Sequence, residues 1–219
     1  MSETAKVSRR SLRPPKAAAV AGVIFSILMI ISLGILRLAV PADLTRPGTW
    51  LSDPARRNAV SLALNVVPFA GIAFLWFIGV LRNRLGDSED RFFATVFFGS
   101  GLLFVASVFM SAVVAGAFVK ALEAGNIQPA NNEIYYFARR LSYVSMNVFG
   151  IKMAGVFLFS TCTISLRTGL LPRWVAFLGF ACGLVLLLVI TNWQWIALLF
   201  PFWVLVVSGQ VLISDLRTR

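Results

Sequence analysis

The chain has 219 residues, of which 58% are hydrophobic and only 13% charged, and its mean hydropathy is +0.84. A water-soluble domain carries about 25% charged residues, so a soluble fold is excluded. The formal charge of +11 would suit nucleic acid only if the cations shared one water-facing surface, and here they mark the edges of apolar runs.

Those runs are long and do not alternate. Membrane helices need about 17–25 mostly apolar residues, whereas a barrel shows alternating segments of about ten. The expected fold is therefore all-α: a polytopic transmembrane helix bundle of about six spans. Residues 1–16 form a basic tail with few apolar residues and two consecutive prolines, Pro14 and Pro15, and are expected to be disordered and cytoplasmic. Arg9, Arg10, Arg13 and Lys16 would lie against anionic lipid headgroups, each contributing about 1 kcal/mol, and phosphorylation at Ser8 or Ser11 would release them. The plainer role of this tail is to orient the first helix.

Residues 17–219 form one six-helix domain. The first span, Ala17 to Val40, exceeds the usual signal-peptide core of about 7–15 residues, so it is expected to stay uncleaved, with Val40-Pro41-Ala42 the point where cleavage would fall. Asp53 before Pro54 reads as an N-cap with proline at the first helical position. It opens the second span, Ala59 to Leu81, in which Asn65 precedes Pro68, a residue that removes one backbone hydrogen bond. Arg82 and Arg84, at its end, join the headgroup-facing cations.

The third span, Phe92 to Leu122, is expected to start at a Ser88 cap and stop at Gly125-Asn126, giving a helix of about 55 Å at 1.5 Å per residue. Ser100, Ser107 and Ser111 share one side of it. The fourth, Leu141 to Leu166, follows a cap at Asn131 or Asn132 and runs to Gly169. The third and fourth helices both exceed a bilayer, so they would tilt or project as an outer hairpin that holds Glu123, Glu133, Arg139 and Arg140 outside the hydrocarbon. The fifth and sixth spans are Trp174 to Ile190 and Trp195 to Ile213. Arg91-Phe92-Phe93-Ala94 and Arg173-Trp174-Val175-Ala176 echo each other at two helix starts, as interfacial arginine and aromatic preference alone would produce.

With both termini cytoplasmic, twelve cations fall on that side against seven on the other, Arg37, Arg46, Arg56, Arg57, Lys120, Arg139 and Arg140. The positive-inside rule favours this arrangement.

Lys152 lies near the middle of the fourth span, where a lysine costs about 2.5–3.5 kcal/mol and usually faces the bundle interior or a wet cavity. None of the nine acids lies within a span, so Lys152 must be neutral, hydrated in a cavity, paired with an anionic ligand, or extended to a headgroup. Ser145, Val148, Gly155, Val156, Phe159 and Thr163 share its face within about a quarter-turn. Such a small, mildly polar stripe packs inward. A ligand site built on Lys152, Ser145, Asn147, Asn65, Ser100 and Ser107 is one reading; interhelical hydrogen bonding of these groups, with Gln210, is the plainer one.

Histidine is absent, which removes the commonest general base, the usual zinc ligand and every histidine-dependent triad. Cys162 and Cys182 lie on different spans and read as packing residues, so no metal or cofactor is expected. An enzyme is not expected either; the one residual constellation is a Ser100–Lys152 dyad, the basis of an intramembrane hydrolase. Transport of a small solute or anion through a Lys152 cavity is a second reading, against which stand the lack of acid relays and of paired broken helices. The third demands least: a non-enzymatic membrane component that binds lipid or a protein partner, or assembles with itself.

The run Leu166-Arg167-Thr168-Gly169-Leu170-Leu171-Pro172-Arg173-Trp174, with Phe200-Pro201-Phe202-Trp203, resembles uncharacterised six-helix membrane proteins of high-GC Gram-positive bacteria. The resemblance covers most of the chain from Ala17 onward, and arginine outnumbers lysine 16 to 4, in keeping with a GC-rich genome. It implies the fold and a bacterial inner-membrane location, and carries no activity with it.

Overall fold

The structure is a computed structural model that describes residues 14–41, 49–85, 91–125, 132–169, 171–188 and 194–217. The described residues are almost all helical, with no strand among them: α1 (Pro14–Ala39), α2 (Pro54–Leu85), α3 (Arg91–Glu123), α4 (Asn132–Val144), α5 (Ile151–Thr168), α6 (Arg173–Leu188) and α7 (Leu199–Arg217). A π-helical turn, Ser145–Gly150, joins α4 to α5 in one continuous rod, so seven labels make six rods. Five of the six are long and apolar enough to cross a membrane, and α6 is shorter. The all-α bundle of about six spans is thus what the chain forms.

Local chemistry sets the ends. Asp53 Oδ1 accepts the Ala55 N–H at 2.9 Å, the N-cap expected ahead of Pro54. Gly125 and Gly169 hold φ of +74° and +68°, the left-handed turn that ends α3 and α5 and that a β-carbon resists. The expected caps at Ser88 and Asn131 lie outside the described residues, as does the basic tail through Arg13.

In the bundle α1 packs on α2 and α7, and α3 lies between α2 and the α4–α5 rod, which meets α6 on its other side. α5 and α6 cross with their backbones close together. A β-carbon on Gly155 would stand 3.2 Å from the Gly183 carbonyl, and one on Gly183 would stand 3.3 Å from the Gly155 carbonyl, the small-residue contact by which membrane helices approach. At the centre Phe25, Phe74, Phe104, Phe157 and Phe200 are at most 2% exposed, with neighbouring ring centroids 4.6–6.3 Å apart. Around the outside, Phe69, Trp76, Val113 and Phe177 are each more than 60% exposed. That belt needs hydrocarbon to cover it.

Candidate functional site

At the end of the bundle where α1 stops and α2 begins, four rods surround a chamber of about 180 Å³. Each rod supplies one stripe at helical spacing: Met29, Leu33, Leu36 and Arg37 from α1; Val60, Leu64 and Val67 from α2; Val108, Ala112, Ala115 and Val119 from α3; Tyr135, Arg139, Tyr143, Met146 and Asn147 from α4 and the π turn. The walls are largely aliphatic, and no carboxylate lines them among the described residues. On its deep side the chamber ends at the phenylalanine cluster, since Phe25 and Phe104 each stand one turn below the lining residues Met29 and Val108.

Two guanidiniums enter this apolar space. Arg139, half-buried, donates from Nη1 to Tyr135 Oη at 2.9 Å and from Nη2 to the Pro41 carbonyl, and stands 5.6 Å above the Tyr135 ring. Trp50 Nε1 donates to the same hydroxyl at 3.1 Å. Arg37 is less well met. Its Nη2 donates to Asn147 Oδ1 at 3.3 Å, its Nε is buried with no acceptor, and neither guanidinium has an acid partner among the described residues. The π turn belongs to this site, because Met146 and Asn147 within it face the chamber; π turns recur at functional sites for such local re-aiming. The chamber's remaining polar groups are satisfied internally: Ser32 Oγ donates to Ala63 O at 2.9 Å, Ser142 Oγ to Ser111 O at 2.9 Å, and Asn147 Nδ2 to Tyr143 O at 3.1 Å.

The residues singled out from the sequence do not gather in one place. Of the six residues of the expected ligand site, Asn147 alone lines the chamber, together with Ser111 from the serine side of α3. Ser145 and Ser107 donate to the carbonyls of Leu141 and Leu103 in their own helices, at 2.9 and 2.8 Å, and Ser100 shares its hydroxyl between Val96 O at 2.6 Å and Phe97 O at 3.1 Å. Those are the helix-internal bonds of the plainer reading. Asn65 is exposed on α2. Among the headgroup cations, Arg82 is exposed with its guanidinium 5.1 Å over the Phe98 ring; Lys16 and Arg84 lie on α1 and α2, and Arg9, Arg10 and Arg13 lie outside the described residues.

Lys152 is half-buried, and its Nζ donates to the carbonyls of Leu186 at 3.1 Å and Leu187 at 2.6 Å, the last turn of α6. These are carbonyls that a helix C-terminus leaves without intrahelical partners, at the negative end of its dipole. The lysine therefore caps a helix, and the charge that its depth makes costly is met by the backbone.

Arg37 and Arg139 escaped the sequence reading because it counted them only as markers of a membrane edge. The signal was present: Tyr135, Arg139, Tyr143 and Asn147 recur every four residues, a polar stripe on one helix face. No protein-family model matches the chain, no curated protein is significantly similar to it, and no solved structure matches it significantly.

Proposed function

We propose that this is a non-enzymatic, multi-pass component of a bacterial inner membrane, with both termini cytoplasmic, whose chamber receives one end of an amphiphile from the bilayer. The observation that carries the reading is an aliphatic chamber with an incompletely bonded guanidinium, Arg37, on its wall. Its depth supports the same conclusion. Twenty residues at 1.5 Å each separate Ala17 from Arg37, a distance of ~30 Å that matches the hydrocarbon thickness. Arg37 thus stands at headgroup level, with Leu33 and Met29 below it among the acyl chains. A volume of about 180 Å³ slightly exceeds the cavity of about 150 Å³ known to take benzene, enough for a ring or a short length of chain.

The rival readings find less support. A solute crossing the bundle from this chamber would have to part the five packed phenylalanines beneath it. Ser100 is committed to Val96 and Phe97, which leaves a hydrolytic dyad with Lys152 without its first hydrogen bond.

Native mass spectrometry of protein extracted from its host membrane tests the proposal. The wild type should carry a retained amphiphile, and Ala112→Trp, which fills the chamber, should lose it while still folding. Equal retention by both proteins would place the molecule elsewhere and refute the reading.

A further inference from the structure

Tyr135 has a proton to give and nowhere in the described protein to give it. A phenol has one O–H to donate and two lone pairs to accept. Trp50 Nε1 at 3.1 Å and Arg139 Nη1 at 2.9 Å are both obligatory donors, and both bond to Tyr135 Oη. The oxygen's accepting capacity is thereby filled, and no acceptor for its proton is found among the described residues. Tyr135 is 3% exposed, so an unmade hydrogen bond at its hydroxyl is costly, and it lines the chamber. Arg37, on the same wall, has one acceptor among the described residues for the five N–H groups of a guanidinium.

The two shortages have the same sign. The Ser32 and Ser142 hydroxyls give their protons to Ala63 O and Ser111 O, and Asn147 Oδ1 already accepts from Arg37, while donors on Arg37 and Tyr135 are left over among the described residues. Two cations with no acid beside them among the described residues would repel a cationic ligand and favour an anionic one.

We infer that Arg37 and Tyr135 form a recognition site for an anionic oxygen group, a carboxylate or a phosphate ester, carried on an amphiphile whose apolar part occupies the aliphatic walls. Trp50 and Arg139 are positioning residues: by filling the lone pairs of Tyr135 Oη they turn its proton outward to the ligand. The inference rests on the chamber reading above and adds the charge and chemistry of the ligand's head.

The test supplies purified protein in a neutral detergent with equal concentrations of dodecanoate, dodecyl phosphate, dodecanol and dodecyltrimethylammonium, and scores adducts by native mass spectrometry. The two anions should dominate. Tyr135→Phe should weaken both anions about tenfold, the value of one hydrogen bond to a charged group, and leave dodecanol unchanged. Arg37→Gln, which does not depend on the Trp50–Tyr135–Arg139 cluster for folding, should abolish the preference for anions over dodecanol. Equal binding of all four compounds, or an anion preference that survives both substitutions, would overturn the anionic site and leave the chamber as an unselective amphiphile pocket. Binding of none would overturn the chamber reading itself. Thermal stabilisation by acetate or inorganic phosphate equal to that by the dodecyl compounds would overturn the amphiphile and leave a site for a free anion.

Discussion

Replacing Lys152 with methionine separates a helix-capping lysine from a ligand-binding one. A lysine at that depth costs about 3 kcal/mol. Against this, its two bonds to the Leu186 and Leu187 carbonyls contribute about 2 kcal/mol each as hydrogen bonds from a charged donor, and the helix end adds about 0.5 kcal/mol. The balance favours the lysine by about 1.5 kcal/mol. Methionine keeps the side chain's length and apolar stem but leaves the carbonyls without their donor, so Lys152→Met should be destabilised by about 1–2 kcal/mol. For a chain of this size that is a fall of about 3–6 °C in Tm, read by intrinsic tryptophan fluorescence on heating in detergent. Because Lys152 does not line the chamber, amphiphile adducts on the same variant should match those of the wild type. An unchanged or raised Tm would refute the capping argument, and loss of the adduct would return Lys152 to the binding site.

Three further outcomes follow from the packing and the ends. Gly179→Val places a β-carbon 2.3 Å from Cys162 Sγ and 2.6 Å from Trp203 Nε1; it should lower Tm by several degrees or prevent folding, while Gly99→Val, where nothing lies within 4 Å, should be tolerated. Asp53→Ala removes the Oδ1 acceptor for Ala55 N–H and should cost about 1 kcal/mol, whereas Asp53→Asn, measured by the same melt, should recover most of it. Single cysteines at Ala55 and Arg167, in a background with Cys162 and Cys182 replaced by serine or alanine, should label oppositely with a membrane-impermeant maleimide: Ala55→Cys in intact cells and Arg167→Cys only after lysis. The reverse pattern would place the termini outside.

The number and order of the helices were legible because each apolar run is long enough to announce itself, and Asp53-Pro54, Gly125 and Gly169 carry their stop and start chemistry within a few residues. The π turn was not. A single extra residue per turn at Ser145–Gly150 leaves no mark in a periodicity of 3.6, although it helps decide that Asn147 meets Arg37. Lys152 was visible as an anomaly, but its partners were not, since they belong to the backbone of α6, where the last turn of a helix ends at a depth no single-segment pattern encodes. The chamber was the least legible part. Its cations were discounted as edge markers, and Tyr135 gains its spare proton only from two donors at distant positions, Trp50 on one side and Arg139 on the other.

The uneven rod lengths connect these observations. At 1.5 Å per residue the 16 residues of α6 rise only ~24 Å, short of a hydrocarbon layer of about 30 Å, whereas the 33 residues of α3 reach ~50 Å. If α3 and α6 start near the same face, where Arg173 opens α6, then α6 ends inside the membrane and must be capped there, and Lys152 on the neighbouring rod is the group that does so. The excess length of α3 and of the α4–α5 rod would then lie beyond the opposite edge, carrying Phe118, Val119, Tyr135 and Arg139 over the ends of α1 and α2. This overhang supplies one end of the chamber wall. One cation therefore answers a helix that is too short and two others line the space made by helices that are too long, which is why Lys152 can be removed at a cost in stability alone while Arg37 should be removable at a cost in binding.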